Sequence, residues 1–153
     1  MAKFIFRLQT VLRHRLMIED QRQRQLARFL RERMILLDQL RLLQQTIGQS
    51  KRDLGESLTG QVDMGQVAQF ARFSGQATQR AQQLVVRLSV VEKQIEEARQ
   101  NLLAATKDRK AMELLRDRHR ELWQQEEEHK ENAIIDEMGL QTFMRQQAAE
   151  VTP

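Results

Sequence analysis

The chain contains no cysteine and no tyrosine, a single proline at position 153, six glycines and 5% aromatic residues. Without cysteine, neither a disulfide framework nor a thiolate metal site is available. Without proline before Pro153, nothing in the interior forces a helix to break. A sandwich or barrel of this length needs many Gly/Pro/Asn turns and a rich supply of β-branched residues, and neither is present. Long apolar runs are also missing. The opening Phe4-Ile5-Phe6 is interrupted by Arg7, Arg13 and Arg15 before the apolar stretch of a signal peptide is complete, and no segment approaches the roughly 18 apolar residues of a membrane span. A soluble, cytoplasmic, all-α chain is expected.

What is abundant is helix-forming and polar: 22 Gln, 19 Arg and 30% charged residues in 153. The net charge of +4 is unevenly spread. Residues 1–60 hold 12 Lys/Arg against 6 Asp/Glu, and residues 92–153 hold 10 against 14. A basic first half and an acidic last part suit two antiparallel helices that attract one another, and equally suit two surfaces for two partners.

Apolar residues recur with a 3.5-residue rhythm over two long segments. In the first, steps of four and three lead through Leu8, Leu12, Arg15, Glu19, Arg22, Leu26, Phe29, Arg33, Leu36, Leu40, Leu43, Ile47, Ser50 and Leu54, with nine of the fourteen slots apolar. The second runs Leu84, Leu88, Val91, Ile95, Ala98, Leu102, Ala105. It then slips by one residue to Asp108, Met112, Leu115, His119, Leu122 and on to Leu140 and Phe143, which predicts a stutter. Between the segments, three of the six glycines fall within Gly55–Gly65. Asp63 or Thr59 can cap the next helix, and Gln66 stands where a capping box needs it.

The expectation is one coiled-coil domain over 1–153: a long antiparallel two-helix hairpin with helix 1 at about 4–57, a turn at about 58–64, helix 2 at about 65–146 and a disordered tail at about 147–153. A broken single helix pairing between two chains is the alternative. Helix 2 outruns helix 1, since about 80 residues rise about 120 Å against about 80 Å for 55. Beyond about His119 it is expected to lack a partner from its own chain, although Leu122, Trp123, Ala133, Ile134, Ile135, Leu140, Phe143 and Met144 still give it an apolar stripe. Such a stripe asks for an external cover.

Catalytic chemistry finds little footing. No Gly-rich phosphate loop or nucleophile elbow is present, and Glu126-Glu127-Glu128 reads as a solvated face, because acid/base work needs a partly dry pocket. His119 and His129 are about 15 Å apart along a helix, too far for one metal ion. No enzyme activity, cofactor or metal is expected. The arginines from Arg13 to Arg33 wind around their helix among Glu19, Asp20 and Glu32 without interleaved aromatics, which disfavours nucleic acid. A membrane-surface helix from Phe4 to Ile18 is a weaker reading of the apolar side formed by Phe4, Ile5, Leu8, Val11 and Leu12 than core or partner contact.

Three groups of residues carry a family resemblance. Phe4-Ile5-Phe6-Arg7-Leu8-Gln9-Thr10-Val11-Leu12, with Arg15 and Glu19, resembles the start of flagellar export proteins of the FliJ family. Phe70-Ala71-Arg72-Phe73 looks like the aromatic stretch that opens their second helix. Glu113, Leu114, Arg116, Glu121 and Glu126, then Asp136-Glu137 and Phe143-Met144, resemble their C-terminal pattern. The resemblance implies a non-enzymatic coiled-coil stalk whose free ends enter the hexameric export ATPase. It also implies a hairpin middle that meets the cytoplasmic domain of the membrane export gate and the export chaperones. It places the ATPase-facing end at Phe4, Leu8, Leu12, Ile135, Asp136, Leu140 and Phe143. The gate-facing region is placed at Leu43, Phe73, Ala77 and Leu84. Thr46, Ser50 and the small Ala77 depart from the family pattern near the gate region. Localisation at the cytoplasmic face of the inner membrane, at the flagellar base, is implied too. The equivalent stalk of a virulence injectisome, a generic dimeric scaffold and a basic nucleic-acid binder are the rival readings.

Overall fold

The computed structural model describes residues 3–150, the last three by backbone alone. Two helices account for most of it, α1 over Gln9–Ser57 and α2 over Met64–Glu150, packed against each other. Among the described residues there is no strand, and no helix is long and apolar enough to cross a membrane.

The connection is residues 58–63, one residue shorter than the expected turn. The end of α1 is closed locally: the Ser57 hydroxyl donates to the Leu54 carbonyl at 2.8 Å and the Thr59 hydroxyl to the Glu56 carbonyl at 2.6 Å. Gly60 follows at φ 138°, a conformation that a side chain strains. Asp63 is the cap of α2, as its carboxylate accepts the Gly65 backbone N–H at 2.8 Å. Gly65 leaves room for that carboxylate, since a Cβ there would stand 3.0 Å from the Asp63 Oδ1. Leu54 shares a groove with Phe70, and Glu32, farther back in α1, pairs with Arg87, farther on in α2, so the helices run antiparallel.

The chain divides into two compact units. The first, residues 18–105, holds the aliphatic core: Leu36, Val91 and Ile95 are buried, with Leu26, Phe29, Leu30, Leu84 and Leu88 packed on them. Ala77, Ala98 and Ala105 are buried as well. Two ion pairs flank this seam, Arg87 to Glu32 at 2.9 Å and Arg33 to Glu92 at 3.6 Å.

The second unit comprises residues 1–17 with 106–153. Here Phe6 and Leu12 are buried, and Arg15 meets Asp108 at 2.9 Å. The Phe6 ring stands edge-on to His119, centroids 5.8 Å apart, and Phe4 tilts against Trp123 at 5.9 Å.

The seam of α1 follows the sequence rhythm: of the fourteen slots, only Leu8 and Arg22 are exposed. After Ala105 the half-buried positions of α2 do not select one register. Arg109, Met112, Arg116 and Trp123 fit the unbroken rhythm, Met112 and Leu115 fit the expected slip, Thr106, Glu113 and Glu127 are half-buried besides, and Asp108, His119 and Leu122 are exposed. Arginine stems can lie in a seam while their charged heads reach water. Arg109 does so, with its side chain 19% exposed and its guanidinium on Glu113 at 2.6 Å.

The bounds also differ from those expected at both ends. Residues 3–8 are not helical, so α1 starts at Gln9 rather than Phe4. The backbone of α2 continues through Glu150, past the expected end at 146. Of the tail expected at 147–153, residues 151–153 lie outside the described residues.

Candidate functional site

The candidate site is the end of α2 together with the N-terminal segment that lies on it. Because residues 3–8 are not helical, they cover more of α2 per residue than a helix would. Phe6 reaches His119 and Phe4 reaches Trp123, so two residues on one side match four on the other. That is the ratio of a non-helical rise of about 3.3 Å to a helical rise of about 1.5 Å. The expected overhang beginning after His119 is corrected accordingly: Trp123 is half-buried under Phe4.

Every described side chain from 128 to 147 is exposed, a helical stretch of about 30 Å. It carries Ile134, Ile135, Met138, Leu140, Phe143 and Met144, each 53% to 69% exposed. At about 100° per residue, Ile134, Ile135 and Met138 lie on one side, and Leu140, Phe143 and Met144 on roughly the opposite one. Acidic side chains are interspersed with them, Glu131 on the side of Ile134 and Asp136 on the side of Phe143. Residues 124–147 hold six carboxylates, from Glu126 to Glu137, against Lys130 and Arg145. Lys130 donates to Glu127 at 2.8 Å. That hydrogen bond and the Glu127 charge, with Glu126 adding to it, hold the Lys130 ammonium above its ordinary pKa.

The seven residues expected to face an ATPase therefore divide. Ile135, Asp136, Leu140 and Phe143 are exposed on the overhang. Leu8 is 38% exposed, Phe4 is half-buried against Trp123, and Leu12, only 2% exposed, belongs to the intrachain seam. Trp123 and Ile135 are about 18 Å apart along the helix, so the two sets form separate levels. The four expected gate-facing residues lie in the other unit. Ala77 is buried, Leu84 packs on the Leu36/Val91/Ile95 cluster, and Leu43 is half-buried. Phe73 lines a groove of 520 Å³ with Phe70, Leu54 and Asp53, beside the turn. Sequence reasoning missed the role of Lys3, Arg116 and Arg120. These three line a second groove, of 490 Å³, with Phe4, Phe6 and Trp123. Only the non-helical path of residues 3–8 brings them together. Among the described residues, no group of three or more His, Asp or Glu gathers as metal ligands.

The chain matches no curated protein and no solved structure. The profile of the flagellar FliJ proteins matches residues 4–148. With nearly the whole length covered and the two long helices in place, the chain belongs to the flagellar FliJ family, an export-associated family of the bacterial flagellum.

Proposed function

We propose that this chain is a non-catalytic stalk that enters the centre of the hexameric flagellar export ATPase and promotes its assembly and activity. The observation that carries the reading is the overhang at 128–147, with large apolar side chains on two opposite sides and every described side chain exposed. A helix meant for one flat partner needs one apolar stripe. Two opposed stripes suit enclosure by a surrounding ring. Ile135, Asp136, Leu140 and Phe143 make the contact, Leu8 and the uncovered part of Phe4 meet the rim, and Leu12 stays in the hairpin.

In the same reading, the gate and the export chaperones are met by the other unit, at the cytoplasmic face of the inner membrane at the flagellar base. Phe73 and Leu43 offer partly open surface there. Ala77 and Leu84 act from within, by holding the helices at a fixed separation.

The test is the hydrolysis rate and oligomer size of the cognate export ATPase with and without the chain. Stimulation and hexamer formation are expected, and both weaken in the Leu140→Ala plus Phe143→Ala variant, whose lost anchors are worth about 2–4 kcal/mol of association. Equal stimulation by the variant sinks the assignment of that end.

A further inference from the structure

The groove between residues 3–9 and the second helix is unlike the rest of the surface. Lys3, Arg116 and Arg120 line it, together with Phe4, Phe6 and Trp123, and no carboxylate does. Its surroundings amplify the sign. Residues 3–17 contain four Lys/Arg and no acid, and residues 106–123 contain six against four. The Arg116 guanidinium uses two of its N–H groups on Asp117, at 2.9 and 3.0 Å, which fixes its plane. We infer that this groove binds an acidic peptide segment of a partner protein, one whose carboxylates meet Lys3 and Arg120 and whose apolar side chains lie against Phe4 and Trp123.

Three features favour such a segment over other anionic ligands. Nucleic acid needs free ring faces for stacking, whereas the Phe6 ring is committed to His119 and those of Phe4 and Trp123 to each other. A membrane needs a protruding surface for its plane of headgroups, and the site is concave. An acidic side chain followed by an apolar one satisfies both halves of the lining, since guanidinium–carboxylate bonds are among the stronger polar contacts. Residues 124–147 of a second copy, with six acids against two bases, are the rival occupant, and salt-sensitive self-association of the free chain in sedimentation overturns the assignment to a partner protein. Binding at the groove does not require the overhang; Phe4 is shared with the stalk reading, so peptide binding and ATPase stimulation are read separately.

Trp123 is the single tryptophan of the chain and reports directly on the groove. The full-length protein is titrated with a synthetic peptide of alternating Glu and Leu, with the same peptide carrying Lys for Glu, with a single-stranded oligonucleotide, and with phosphatidylglycerol vesicles. The expected result is a saturable change in Trp123 emission with the acidic peptide alone, reduced by added salt. Lys3→Gln plus Arg120→Gln weakens it roughly tenfold, the loss of two exposed charge pairs. Arg118→Gln, outside the groove, leaves it unchanged, and circular dichroism reports whether each variant keeps its helices. An equal response to the Lys peptide, a response in both variants alike, or binding of oligonucleotide or vesicles in place of the acidic peptide overturns the inference.

Discussion

The same 3.5-residue rhythm runs through both units, but they fill it differently. In residues 18–105 the seam of α2 is Leu84, Leu88, Val91, Ile95, Ala98 and Ala105. In the other unit its half-buried residues include Arg109, Met112, Leu115, Arg116 and Trp123, facing the first turns of α1 and then the non-helical residues Phe6 and Phe4, and every described side chain from 128 to 147 is exposed. Aliphatic residues at seam positions commit that surface to the partner helix, because removing it from water is the main stabilising term. Arginine and aromatic residues hold the register more loosely and keep polar groups at the edge. One continuous pattern thus does two things along its length: residues 18–105 bury aliphatic side chains between the helices, and the remainder leaves large apolar side chains exposed.

Truncation in the aliphatic seam tests that division most severely. Ile95, 1% exposed, is the most completely buried large side chain described. Ile95→Ala is expected to lower unfolding stability by about 3 kcal/mol, through lost transfer energy and a residual cavity, as read by urea denaturation. A change below 1 kcal/mol, on the scale of ordinary surface substitutions, removes the claim that this seam holds the hairpin.

The turn comes next. Asp63→Ala deprives the Gly65 N–H of its acceptor and is expected to cost about 1 kcal/mol. Asp63→Asn, which keeps an accepting oxygen, should recover most of the loss in the same denaturation experiment. Failure of that rescue points to the charge at the helix start rather than to the hydrogen bond.

At the small end, Leu140→Ala plus Phe143→Ala is expected to change the stability of the free chain by less than about 0.5 kcal/mol. Both side chains are more than half exposed. A substantial loss of stability in the free chain would mean that the overhang is covered in solution, and the contrast between the two units would collapse.

Much of this was legible from residue types alone. A near-absence of proline and a cluster of glycines located two helices and a reversal at about 58–64, found at 58–63, with Asp63 or Thr59 as the candidate cap, of which Asp63 serves. The seam slots of α1 from Leu26 to Leu54 followed from spacing, because most of them are apolar and all are covered, polar Arg33 and Ser50 included. Residue type misled farther along α2. Arg109 and Arg116 are half-buried although their type suggests a surface. The path of residues 3–8 was also hidden, since Phe4, Ile5 and Leu8 share a side in a helical reading as plausibly as they cover α2 in a non-helical one. The aromatic and basic groove, Lys3 and Phe4 against Arg116, Arg120 and Trp123, depends on that path and has no signature of its own along the chain.

The short connection at 58–63 also governs the order in which the molecule assembles itself. Contacts next to the turn close loops of only a few residues, while Phe6 and His119 close one of more than a hundred. The entropy of closure grows with loop length, and each layer formed shortens the effective loop for the next. The hairpin thus zips from its reversal outward, and the N-terminal aromatics dock last and leave first. Trp123, a reporter of binding at equilibrium, is on this account also a clock for the final step of folding.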